Sequence, residues 1–206
     1  MLIFIEKKLV YLATPKTGTT AVEMALRTEA DISIGRSRKH MTAQRYRRKI
    51  APFLKEAFQV EPDTVAVMRD PVEQLRSWYK YRTRAEKIGS ARSTNGCSFD
   101  DFVLAVIADD PPAFAGIGSQ FKFLTTRDGD LLVQHLFAYE NQPQFRAFLS
   151  GRLDRDLTLK QINVSPEVPT PLSAETEQKL RAARSAEFAL YDRLQQSGGH
   201  LETPLS

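Results

Sequence analysis

Cysteine occurs once among the 206 residues, at Cys97. A single cysteine excludes an internal disulfide and any cysteine-rich zinc site, and it suits a reducing compartment. Long apolar runs are also missing. Residues 2–5 are apolar, but Glu6, Lys7 and Lys8 follow at once. The chain therefore offers neither a signal-peptide core nor the roughly 20 apolar residues of a membrane span. A soluble, cytoplasmic protein is the expectation. No internal repeat, low-complexity tract or linker divides the chain, which predicts one domain over 1–206. No aromatic-rich platform for single-stranded nucleic acid accompanies the basic residues, so no nucleic-acid partner is expected. The net charge of +4, from 29 basic and 25 acidic residues, leans toward an anionic ligand without naming one.

What is present alternates between strand and helix patterns. The runs 2–5 and 9–13 predict two strands joined by a tight turn. The second ends in Thr14-Pro15-Lys16-Thr17-Gly18-Thr19-Thr20, and Ala21, Val22, Met24, Ala25 and Leu26 then have the density of a buried helix. Between Asp31 and Glu56 no acidic residue occurs, while Arg36, Arg38, Lys39, Arg45, Arg47, Arg48 and Lys49 crowd together. Tyr46, Ile50, Phe53 and Leu54 give the second half of that window a helical spacing. A strand over 64–68 runs into Arg69-Asp70-Pro71, where Asp70 suits an N-cap and Pro71 the first helical position. Leu75, Trp78 and Tyr79 supply the buried stripe of that helix.

The stretch 82–95 is polar and basic, and its second half predicts a mobile loop over a site. Ser98 and Asp101 form a capping-box-like start to a helix through Ile107, ended by Asp109-Asp110-Pro111-Pro112. Strands are expected over 131–139 and 157–164, a short helix over 143–149, and a C-terminal helix from Ser173 stopped by Gly198-Gly199. The alternation predicts a three-layer α/β domain, P-loop-like, with a mainly parallel central sheet.

A loop that leaves a strand and opens a helix presents unpaired N–H groups at the positive end of the helix dipole, where phosphate-sized anions bind. Gly18 lets the backbone come close, Lys16 adds a mobile charge, and Thr17, Thr19 and Thr20 add hydroxyls. The residues alone also allow a plain polar turn whose threonines cap the helix. The nucleotide triphosphatase loop G-x-x-x-x-G-K-[ST] differs: Ala13 stands in place of its early glycine, and Lys16 precedes Gly18.

Pro15-Lys16-Thr17-Gly18-Thr19-Thr20 resembles the 5′-phosphosulfate loop of sulfotransferases that use 3′-phosphoadenosine 5′-phosphosulfate (PAPS). Val65-Ala66-Val67-Met68-Arg69-Asp70-Pro71, followed by Ser77, resembles the family's 3′-phosphate block, with Arg69 and Ser77 at the matching positions. Arg38-Lys39-His40-Met41-Thr42-Ala43 resembles a segment of the carbohydrate-sulfotransferase branch and its short bacterial relatives. The blocks 117–124, 138–141, 162–165 and 186–191 resemble later blocks of that branch. The Gly-rich and Lys-rich C-terminal segment of the small-molecule branch has no counterpart.

The resemblance implies PAPS as co-substrate, no metal, and a hydroxyl acceptor, with carbohydrate first and lipid or small alcohol behind it. His40 then stands as the candidate general base and Lys16 as the group that steadies the leaving phosphate. Glu23 and Glu140 are runner-up bases. His135 reads as a core residue of an apolar strand and His200 as part of a Gly-rich tail. Two other readings stay open: a P-loop nucleotide-dependent kinase or hydrolase, with Asp70 on magnesium, and a non-catalytic nucleotide-binding module.

Overall fold

A computed structural model describes residues 1–35, 38–159 and 166–204. Its centre is a six-stranded open sheet. Strands β1 (Leu2–Phe4) and β2 (Leu9–Leu12) form an antiparallel hairpin, because the turn between them is far too short for a crossover. The two-residue β3 (Ile32–Ser33) pairs antiparallel with β1 at one edge. Strands β4 (Asp63–Met68) and β5 (His135–Ala138) continue from β2 in parallel, and β6 (His200–Glu202) closes the other edge antiparallel to β5. The order is β3-β1-β2-β4-β5-β6. The sheet is thus mixed, with a parallel centre of three strands and antiparallel flanks, where a mainly parallel sheet was expected.

Strands β1, β2 and β5 are buried at every position. That pattern requires cover on both faces, and strand alternation sorts the side chains between them. Ile3, Val10, Leu12, Ala66, Met68 and Leu136 face one core, completed by Tyr46 of α2 (Ala43–Lys49), Leu54 of α3 (Ala51–Phe58), Leu124 of α6 (Gln120–Leu124) and Leu194 of α9 (Ser185–Gln196). Leu2, Phe4, Leu9, Tyr11, Val65, Val67 and Phe137 face the other, with Val22 and Leu26 of α1 (Thr19–Leu26) and Phe145 and Leu149 of α7 (Gln142–Leu153). The result is three layers. A third cluster joins Leu75 of α4 (Pro71–Arg82), Phe102 of α5 (Phe99–Val106) and Leu180 of α8 (Ala174–Ala183).

Local signals mostly act as the residues dictate. The Asp70 carboxylate accepts the Glu73 N–H at 2.9 Å with Pro71 opening α4. Ser98 and Asp101 make the reciprocal capping box of α5. Elsewhere the elements differ from expectation. The basic window holds two helices, broken at Ile50 because Pro52 must start a new one. The strand expected over 131–139 covers only His135–Ala138. The helix expected over 143–149 is longer, and the C-terminal helix is two, split at Arg184. Of the strand expected over 157–164, residues 157–159 carry no strand and 160–164 lie outside the described residues, as do 162–165 and Arg36. Among the described residues, no helix is long and apolar enough to cross a membrane.

Candidate functional site

Because β2, β4 and β5 run parallel, the loops that follow them emerge at one edge of the sheet. These are the loop after Leu12, the Arg69-Asp70 link to α4, and Tyr139. An open cleft of ≈ 1110 Å³ lies there. Its lining includes Pro15, Lys16, Gly18, Thr19, Thr20, His40, Arg69 and Ser77, so residues from four separate segments meet at one place. Thr17 does not line it. Its hydroxyl donates back to the Thr14 carbonyl at 2.9 Å, and its side chain is buried beneath the loop.

The loop backbone explains the exposure of its polar groups. Lys16 and Gly18 both take left-handed conformations, φ 68° and 72°, and turn the chain sharply into α1. Gly18 caps that helix without a side-chain acceptor, which leaves the positive end of the helix open toward the cleft. A Cβ on Gly18 would stand 3.4 Å from the Tyr139 ring, an ordinary contact, so it is the positive φ that favours glycine.

Lys16 is crowded by aromatic rings and by other cations. Its Nζ lies 4.4 Å from the Tyr81 ring centre and 5.4 Å from that of Trp78. Burial first, and then Arg84, Arg69 and Arg82, lower its pKa to about 8. The guanidinium of Arg69 lies over the Tyr139 ring at 4.7 Å and 3.7 Å from Glu73. Among the described residues, its Nε is buried without an acceptor, and so is the Trp78 indole nitrogen. Such groups leave hydrogen-bonding capacity for a ligand.

Arg69 is aimed by its backbone. The Gln120 side-chain amide accepts the Arg69 N–H at 2.9 Å and donates to the Arg69 carbonyl at 2.8 Å. Gln120 is itself fixed by its N–H to Glu187 at 2.8 Å, and buried Glu187 also pairs with Arg184 at 3.3 Å. Neither Gln120 nor Glu187 stood out in the sequence, although each falls inside a block carried by the family resemblance.

The stretch 82–95 does lie against the cleft. Arg82, Arg84, Glu86, Lys87 and Arg92 line it, with a 3-10 turn at Ala85–Lys87. Thr94 anchors its far end, donating to the Tyr79 carbonyl at 3.0 Å. Arg82 is nearly buried and donates to the carbonyls of Ala113 and Phe114, which ties 113–116 to the same wall. Together with Lys16, Lys39 and Arg69, these residues surround the cleft with cations, and among the described residues Glu86 is the sole acid in the lining. The basic residues of α2 are different. Arg45, Arg47 and Arg48 are exposed on the helix and line no part of this cleft.

His40 meets the loop from the other side, with Nδ1 2.7 Å from the Ala13 carbonyl. A carbonyl only accepts, so Nδ1 carries the proton and the neutral ring keeps its lone pair on Nε2. Although the ring is open to the cleft, the protein packed around it lowers its pKa below 6.5, with desolvation the first cause. The runner-up carboxylates are occupied. Glu23 takes the Lys39 ammonium at 3.1 Å. Glu140 accepts the Asp70 N–H at 3.1 Å and the Tyr191 hydroxyl at 2.9 Å.

Comparison with protein-family models and with curated proteins finds no match for this chain.

Proposed function

We propose that the protein is a sulfotransferase that moves a sulfuryl group from PAPS to a hydroxyl acceptor. One observation carries the reading: Pro15, Lys16, Gly18, Thr19 and Thr20 of the loop line a single cleft, walled by cations, with His40, Arg69 and Ser77. The three parallel strands, with an anion loop after the first, fit a P-loop-like arrangement.

In this reading the 5′-phosphosulfate lies in the loop at the start of α1, and Arg69 with Ser77 holds the 3′-phosphate. The acceptor oxygen attacks sulfur in line while the bond from sulfur to the bridging oxygen breaks. The electron pair leaves on the 5′-phosphate, and adenosine 3′,5′-bisphosphate is released. The acceptor proton passes to His40 Nε2. Lys16 Nζ neutralises the charge that grows on the bridging oxygen, so its effect is concentrated in the transition state. Carbohydrate is the first acceptor class to try, ahead of lipid and small alcohols.

A kinase or hydrolase would need Asp70 for magnesium, but that carboxylate caps α4. Calorimetric titration with adenosine 3′,5′-bisphosphate, AMP and Mg-ATP tests the choice. The bisphosphate should bind tightest. Tighter Mg-ATP would overturn the reading, and tight PAPS binding without transfer to any component of a cell extract would leave a binding module.

A further inference from the structure

A second cluster of chemically active side chains lies outside the cleft, on the antiparallel ribbon of β5 and β6. In register, His135 faces Glu202 and Phe137 faces His200. Because strand side chains alternate, these four share one face. His135 is buried, His200 is half-buried and Glu202 is exposed, so the group opens to solvent on the Glu202 side.

The spacing of the two imidazoles is informative. His135 Nδ1 and His200 Nε2 stand 3.2 Å apart. Two nitrogens about 2.0–2.1 Å from a zinc ion at the tetrahedral angle are about 3.3–3.4 Å apart. One ligand atom from each of His135, His200 and Glu202 lies within 4.8 Å of the others. The rings are also held in place. Phe137 stacks on His200 with centroids 4.0 Å apart and planes at 12°, and Phe148 packs on His135 at 4.7 Å. Among the described residues, no hydrogen bond or ion pair occupies the Glu202 carboxylate. The neighbouring acid Asp63 is committed, its carboxylate held by Arg152 at 2.8 Å.

We propose that His135, His200 and Glu202 bind one divalent transition-metal ion. The set of two imidazoles and one carboxylate suits Zn²⁺, with solvent in the fourth position. The ion would fasten β6 to β5, the strand that leads directly into Tyr139 of the cleft. This assignment is independent of the proposed transferase activity. The competing account is a plain N–H···N hydrogen bond between the two rings.

Titrating the metal-free full chain with Co²⁺ and then Zn²⁺ separates the two. The expected result is one equivalent of Co²⁺ with tetrahedral d–d absorption, displaced by Zn²⁺, and a higher Tm with either ion. His200→Asn should weaken Zn²⁺ binding by more than the roughly 10–100-fold that loss of an outer partner costs. Exposed Glu202→Gln, which spares the core, should also weaken it, while His40→Ala should not. Absence of the Co²⁺ band in the wild type would overturn the proposal, as would equal Zn²⁺ affinity in the wild type and both ribbon variants.

Discussion

His40 Nδ1 donates to the Ala13 carbonyl across 2.7 Å, so the loop that holds the proposed phosphosulfate also fixes the tautomer of the proposed base. His40→Ala should leave affinity for adenosine 3′,5′-bisphosphate nearly unchanged and reduce turnover by roughly 10²–10⁴-fold. Labelled PAPS and an acceptor found in cell extract supply the assay. Full activity in a folded His40→Ala protein would send the base elsewhere.

The pH dependence follows from two lowered pKa values. As the proposed base, His40 acts only when neutral, so kcat/KM should rise with increasing pH through a pKa below 6.5. Lys16 holds an anion only when protonated, so bisphosphate affinity should be full below about 8 and fall as the pH rises above it. Lys16→Met should lower affinity and rate together and flatten the alkaline limb. For the unliganded fold the sign is the reverse. Lys16 binds its proton less well folded than unfolded, so its contribution to stability grows from about pH 8 toward the unfolded value of 10.5.

Arg69→Ala tests the 3′-phosphate assignment. A charge-assisted contact contributes about 1.5–3 kcal/mol, which is roughly 10- to 150-fold in affinity. The bisphosphate should weaken by that factor while AMP changes little, as read by calorimetry. Equal losses for both ligands would remove Arg69 from the 3′-phosphate.

Glu187→Ala should leave the Arg184 charge and the Gln120 N–H without their partner. Breaking such a mostly buried pair costs about 3–5 kcal/mol, measurable by urea unfolding. Bisphosphate affinity should fall too, because Gln120 aims Arg69. A stability loss with unchanged affinity would make the Gln120 clamp purely structural.

Much of the cleft was legible because its residues sit in motifs with local physics. A strand followed by Lys16, Gly18 and a helix points to open N–H groups at a helix start, and Asp70-Pro71 marks a helix start after Arg69. Thr17 could not be sorted from Thr19 and Thr20 by pattern, since only the turn geometry decides which hydroxyl faces inward. Gln120 and Glu187 act through contacts 51 and 67 residues away along the chain, which no local spacing encodes. The edge strand β6 was hidden for a similar reason. Three residues after Gly198-Gly199 carry no periodicity, and only β5 beside them makes them a strand.

The left-handed backbone of Lys16 sets the fold and the proposed activity against each other. A lysine there costs about 1–2 kcal/mol that a glycine would avoid. Selecting variants for thermal resistance alone should therefore favour Lys16→Gly and discard the ammonium, whereas selection for the proposed transferase activity should keep the strained residue.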